Sequence, residues 1–259
     1  MVVSTPVRKA RPARIGQILD ALVDRPNDAL GVREVANALG LAPSSAHRLL
    51  TSLVREGLVE RTPAGTYSIG LDFMRMAWKA TGRYSLTVVA EPVLTQLVER
   101  IDETALLTVF DPARKEMMFA LSVESRHPLR YVVALNQWVP LNAGASGLAI
   151  WASLPPSERE ELLTSSLRRL TPRTLVDPAA LRAEYEKVLA RGYAISHGQR
   201  VLGAVGFAAA IFGPTGVIGT VALSIPEQRF DPNEEPALGL AVREAANAIS
   251  ERMGGTPPG

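Results

Sequence analysis

Residues 32–70 read VREVANALGLAPSSAHRLLTSLVREGLVERTPAGTYSIG, and this stretch decides the architecture of the amino-terminal part of the chain. Val32 to Leu39 has the apolar spacing of a short helix stopped by Gly40. Pro43 to Glu56 reads as a longer one, with proline in its first turn and Gly57 just past its end. A helix-turn-helix needs a small residue where the helices cross, a turn residue that accepts positive φ, and apolar residues facing inward. Ala36 is the small residue, Gly40 sits in the turn, and Val35, Leu39, Leu41, Ala46 and Leu49 supply the inward face.

The flanks extend the motif. Ile15, Ile18, Leu19 and Leu22 predict a first helix over 12–24, broken by Arg25-Pro26-Asn27-Asp28. Leu58–Arg61 and Thr66–Ile69 read as two short strands turned by Pro63-Ala64-Gly65, which makes the motif winged. Residues 12–70 are therefore expected to form a winged helix-turn-helix domain. A basic flexible arm precedes it over 1–11, and a linker helix follows over 71–84.

Such a domain meets DNA through the start and the outer side of its second helix. Ser44, Ser45, His47, Arg48 and Thr51 are the polar residues there. Arg48 can take phosphate or guanine, and the short hydroxyls suit a backbone lying close to the duplex. Arg61 with Thr66 or Tyr67 on the hairpin, Arg33 at the start of the motif, and Arg14 beyond the arm complete the expected DNA-facing set. The first 14 residues carry four basic residues and no acidic one, which suits contact with phosphates or a minor groove. The competing reading is a helical hairpin that binds protein. Three helices, a wing, a basic arm and a polar recognition face together favour DNA.

The remainder has another texture. A helix is expected from about Thr87 to Arg100, then strand-like runs at Thr104–Phe110, Met117–Val123 and Leu129–Leu135. Helices follow at 146–154, 156–169 and Asp177–Ala190. Strands at Gly203–Phe212 and Val217–Ile225 flank the turn Gly213-Pro214-Thr215-Gly216, and a helix closes the chain over Asp231–Met253. Antiparallel strands with flanking helices make an α+β sandwich over 85–253. Residues 254–259 read as a disordered tail.

Composition bounds the function. At 259 residues, with 47% apolar and 21% charged, the chain can bury the core of one large domain or of two ordinary ones. It has no cysteine, so disulfides and thiolate metal sites are excluded. No apolar core follows the early basic residues as a leader would require, and no run approaches a membrane span. This fits a cytoplasmic protein that meets no membrane.

An enzyme is the first rival. Gly144-Ala145-Ser146-Gly147 does not fit a nucleophile elbow, and neither a phosphate-binding loop nor a dinucleotide fingerprint occurs. The histidines are His47, His127 and His197, without metal-ligand spacing. No catalytic residue, metal or cofactor is expected. A small-molecule hydrolase or a protein-interaction module remains the alternative to a regulator.

The ordered motifs resemble the IclR family of bacterial regulators from about Arg14 to Arg252. They are the helix-turn-helix stretch above, then HPLRY (127–131), VPLNAGASGLAIWASLP (139–155), RGYAIS (191–196) and FAAAIFGPTGVIGTVALSI (207–225). The resemblance implies a GAF-like effector-binding domain joined by a helix to the DNA-binding domain. It also implies a homodimer built through the amino-terminal region, often a tetramer, and operator DNA as partner. The run Asn142–Gly147 precedes an apolar helix, where small residues expose backbone N–H groups suited to a carboxylate. Carried over by motif, the effector positions are Ala145, Ser146, Ser196, Ala204, Gly206 and Ser224, lined by Leu141. The family usually has acidic residues where this chain reads Ser196-His197-Gly198-Gln199. Gly206 replaces a cysteine sometimes found there, and Leu148 a usual lysine. A roomier, less acidic pocket for an aromatic or larger organic acid follows as the expectation.

Overall fold

A computed structural model describes residues 11–25, 29–81, 85–164 and 167–256. They divide into two compact units, one up to residue 84 and one from residue 85. The arm over 1–11 lies outside the described residues except for Arg11, which begins the first helix.

The first unit opens with α1 (Arg11–Val23), α2 (Val32–Ala38) and α3 (Pro43–Arg55). Glu34 accepts the Gly31 N–H at 2.8 Å and so caps the start of α2. Gly40 turns the chain at φ +60°, where a side chain would be strained, and the Leu41 N–H returns to the Ala36 carbonyl at 2.8 Å. Ile18, Leu22, Val35, Ala36, Ala46, Leu50 and Leu53 form the buried core between the helices. Leu39, Leu41 and Leu49 pack around it half-buried. Leu50 rather than Leu49 is the fully buried leucine of α3.

The hairpin β1 (Val59–Arg61) and β2 (Tyr67–Ile69) is antiparallel, with Arg61 opposite Tyr67. Leu30 exchanges both backbone hydrogen bonds with Tyr67, which ties the wing to the helices as a third, single-residue strand. Helix α4 (Leu71–Thr81) follows, its Asp72 N–H donating to the Gly57 carbonyl.

The second unit is a six-stranded antiparallel sheet with helices on both faces. Its strands are β3 (Thr104–Asp111), β4 (Glu116–Val123), β5 (Trp138–Pro140), β6 (Ala194–His197), β7 (Ala204–Gly213) and β8 (Gly216–Pro226), in the order β5-β4-β3-β8-β7-β6. Alternation along the strands sends side chains to opposite faces. Leu107, Phe207, Ile211 and Leu223 meet α5 (Ser85–Ile101) and α9 (Glu235–Arg252). Leu106, Phe119, Ala208 and Ala222 meet α6 (Ala145–Ser153), α7 (Pro156–Leu163) and α8 (Pro178–Arg191). On that second face β7 and β8 present mostly small side chains, so α6 lies close to the sheet around the buried Trp151.

Three sequence expectations change here. Leu129–Leu135 is irregular chain rather than a strand, and the edge strand β5 lies further on at Trp138–Pro140. Val133 packs against the second core while Leu129 and Leu135, on the same side of an extended chain, are exposed, so the run lacks the single buried face of a strand. The sequence predicts no strand at 194–197, where the edge strand β6 pairs with β7. Gly254 and Gly255 are not free tail: their N–H groups return to Glu251 and Ser250 and close α9. Residues 257–259 lie outside the described set.

Candidate functional site

The exposed surface of the first unit is organised by α3. Its inward residues Ala46, Leu50 and Leu53 leave Ser44, His47 and Arg48 exposed on the other side, with Ser45 and Thr51 half-buried between. Thr51 Oγ1 donates to the His47 carbonyl at 2.8 Å. Arg33 on α2 and Arg61 on β1 are exposed, and Arg14 on α1 is half-buried. None of these arginines pairs with a carboxylate among the described residues, so their charge is available to an external anion.

The wing corrects one residue. Tyr67 is 2% exposed and belongs to the core of the unit, so its side chain is not presented to DNA. Strand alternation told that one of Thr66 and Tyr67 points inward, and the larger, more apolar side chain took that face. Thr66 stays half-buried, its hydroxyl 2.7 Å from that of Thr62 across the turn.

In the second unit the start of α6 forms one wall of a cavity of about 570 Å³, counted with its mouth. The chain enters the helix through Gly144 at φ +86°. A methyl group on Gly147 would stand 2.1 Å from the Leu141 carbonyl oxygen, so only glycine lets the entering loop press on the first helical turn. Asn142 pins this loop: its amide donates to the Arg168 and Leu175 carbonyls and accepts the Arg168 N–H. The Ala145 N–H donates to Ser196 Oγ at 3.0 Å, which joins α6 to β6.

Six of the seven positions expected from the sequence line the cavity: Ala145, Ser146, Ser196, Ala204, Gly206 and Ser224. Leu141 does not. It is buried in the core behind α6, and its carbonyl rather than its side chain shapes the site. The remaining walls are apolar, with Leu106, Met117, Phe119 and Ala222 from the sheet and Val132 and Val133 from the irregular chain before β5. Tyr131 also lines the cavity and donates its hydroxyl to the Leu202 carbonyl at 3.1 Å.

Arg200, which no sequence motif names, also lines the cavity, beside Gln199 at the end of the run that departs from the family pattern. Gln199 and Arg200 sit on the β6–β7 turn, which Thr171 and Thr174 anchor by donating to the Gly198 and Gln199 carbonyls. The Arg200 guanidinium lies 4.4 Å from the centroid of Phe119. Its Nη1 is buried without a hydrogen-bond partner among the described residues, as is Gln199 Oε1. Burial lowers the Arg200 pKa to about 10, which still leaves the group charged at neutral pH. The only signal in the sequence was a basic residue directly after a run that lacks the acidic residues of similar chains.

Comparison with known proteins assigns these parts. Residues 12–63 match the IclR helix-turn-helix domain, and residues 78–251 match the bacterial transcriptional regulator IclR C-terminal domain. The chain belongs to the IclR family of bacterial transcriptional regulators. It is 32% identical over 231 residues to the HTH-type transcriptional regulator Rv1719 of Mycobacterium tuberculosis, covering 89% of this chain and 87% of that one. It is 27% identical over 232 residues to the transcriptional repressor IclR of Escherichia coli, covering 88% and 85%. Among solved structures, an IclR homologue from Microbacterium hydrocarbonoxydans complexed with 4-hydroxybenzoate superimposes with a TM-score of 0.81. That match has 27% identity over 94% of this chain and 99% of the other. The IclR relatives are regulators and repressors rather than enzymes. Among the described residues no helix is long and apolar enough to cross a membrane.

Proposed function

We propose that this IclR-family regulator binds a specific operator through α3 and its wing, and that a small organic acid in the cavity beside α6 changes its operator affinity. The observation that carries the reading is the cavity itself: a mostly apolar chamber with a few polar groups converging at one helix start, in the same chain as a helix-turn-helix. The polar, exposed side of α3 supports the DNA half. Ser44, Ser45, His47, Arg48 and Thr51 are the candidate base and phosphate contacts, with Arg14, Arg33, Arg61 and Thr66 on the flanks.

Two copies of the chain present two α3 helices about 34 Å apart, one turn of DNA, to a partly palindromic site. Ligand binding shifts operator affinity only as far as it prefers one arrangement of the dimer over the other. Gly206 and the alanines at 145, 204 and 222 put no bulk into the space beside α6. That room favours an aromatic or larger acid over two- and three-carbon acids, and the homologue complexed with 4-hydroxybenzoate supports the same class.

A mobility-shift assay with the DNA upstream of the chain's own gene tests the DNA half. Specific retardation that weakens steeply with salt is expected, and its absence there and at neighbouring genes overturns the reading. Calorimetry with acids of increasing size tests the ligand half, and binding confined to two- and three-carbon acids contradicts it.

A further inference from the structure

We propose that Arg200 is the anion anchor of the cavity and selects a carboxylate carried on an apolar body. This rests on the ligand-responsive reading above and names the group that would decide its specificity.

Several arginines of the second unit have acceptors of their own. Arg130 pairs with Glu124, Arg173 with Glu227, Arg182 with Glu160, Arg191 with Glu184 and Arg229 with Glu103, while Arg159, Arg169 and Arg243 donate to backbone carbonyls. Arg200 faces the cavity instead, and among the described residues it has no carboxylate partner. Its stem is fixed. A Cβ built on Gly144 would lie 3.2 Å from Arg200 Cβ and 3.7 Å from its Cδ, so the side chain runs directly over the entrance to α6.

The far end is fixed too, because the guanidinium lies on the ring of Phe119. The ring is an apolar contact that accepts no in-plane hydrogen bond, and Nη1 has no partner among the described residues, so the N–H groups are left for an acceptor. The N–H edge is the part of arginine that binds a carboxylate with two parallel hydrogen bonds. Arg200 is half-buried and its Nη1 is cut off from solvent without an acceptor among the described residues, a cost that an incoming carboxylate offsets. The first turn of α6 faces the same space and adds Ser146 and its own positive end. Leu106, Met117 and Val133 add apolar walls and no other cationic side chain lines the cavity among the described residues, which suits a monocarboxylate with an apolar remainder.

Isothermal calorimetry on the full-length chain tests this with benzoate, phenylacetate and hexanoate, each beside its neutral primary amide, in the wild type and in Arg200→Gln. At least one acid should bind the wild type about 30-fold more tightly than its amide, as charge-assisted hydrogen bonds do. Arg200→Gln should remove that preference by weakening the acid alone. An acid whose affinity is unmoved by Arg200→Gln, amides that bind as well as acids, or failure of all three acids overturns the proposal. A second measurement needs no ligand. Arg200→Met should melt at or above the wild-type temperature, because it removes a half-buried charge that has no carboxylate partner among the described residues, whereas a lower melting temperature would make Arg200 a structural brace for Phe119 and overturn its assignment. Operator retardation by Arg200→Gln is run alongside. Loss of acid recognition with retardation intact upholds Arg200 as anchor, and absent retardation in the wild type defeats the regulator reading whatever the acids do.

Discussion

Ser196, Gly206 and Ala145 meet at one point, and their meeting can be measured as an energy. Ser196 and Gly206 face each other across β6 and β7, and Ser196 Oγ accepts the Ala145 N–H at 3.0 Å. Ser196→Ala leaves that N–H buried without its acceptor, a loss of about 1–3 kcal/mol. In a unit of this size that corresponds to a drop in melting temperature of about 2–4 °C for each kcal/mol. A methyl group added at Gly206 would stand 3.1 Å from Ser196 Oγ and 3.5 Å from Ala145 Cβ. The hydroxyl is therefore the tightest neighbour of Gly206→Ala, and deleting the hydroxyl relieves the crowding. The double variant Ser196→Ala/Gly206→Ala should be more stable than the sum of the two single changes by at least about 0.5 kcal/mol. Urea denaturation of the four proteins, followed by circular dichroism, gives the coupling directly. Additivity within about 0.3 kcal/mol, or a Ser196→Ala variant as stable as the wild type, would refute the geometry from which the cavity is built.

Other outcomes follow from the same structure. Arg48→Ala should weaken operator binding roughly tenfold or more and leave the calorimetric affinity for acids unchanged; an unaltered mobility shift removes Arg48 from the DNA surface. Tyr67→Phe should retain operator affinity, because the side chain is core rather than wing surface, whereas Tyr67→Ala should cost about 3–5 kcal/mol in a denaturation experiment. Hydrogen bonds from Arg182 and Tyr185 hold the Glu160 carboxyl below its usual pKa. The stability this contributes is present above the unfolded-state pKa and is lost as pH falls through the lowered folded value. Glu160→Gln should therefore lower the melting temperature near neutral pH and converge with the wild type in acid, and a difference independent of pH contradicts the pairing.

The helix-turn-helix was legible because each demand falls on a residue type that few positions satisfy: Ala36 at the crossing, Gly40 in the turn, Pro43 in the first turn of α3. The β7–β8 hairpin was equally plain from its Gly-Pro-Thr-Gly turn. What stayed hidden depends on facing and on distance along the chain. Periodicity offered Thr66 and Tyr67 together, and only packing against Leu30 and α1 decided which one is buried. The Leu129–Leu135 run alternates like a strand yet finds no ladder, since the edge of β4 pairs with β5 instead. Leu141 was placed in the cavity because it adjoins the glycine-rich loop, but its side chain turns to the core. Arg200 carries no motif at all. Its meaning comes from Phe119, some eighty positions earlier, and from the threonines at 171 and 174 that hold its turn.

The central claim is that occupancy of the cavity beside α6 changes how tightly α3 holds its operator. Fluorescence anisotropy of a labelled operator fragment measures this, with the tightest-binding acid present or absent and its occupancy verified by calorimetry. The account predicts at least about a fivefold change in operator affinity for the wild type. It predicts none for Ala145→Leu, which fills the cavity at the first residue of α6 while leaving the DNA-binding unit untouched. An operator affinity that ignores a demonstrably bound acid, or an Ala145→Leu protein that responds like the wild type, would contradict it.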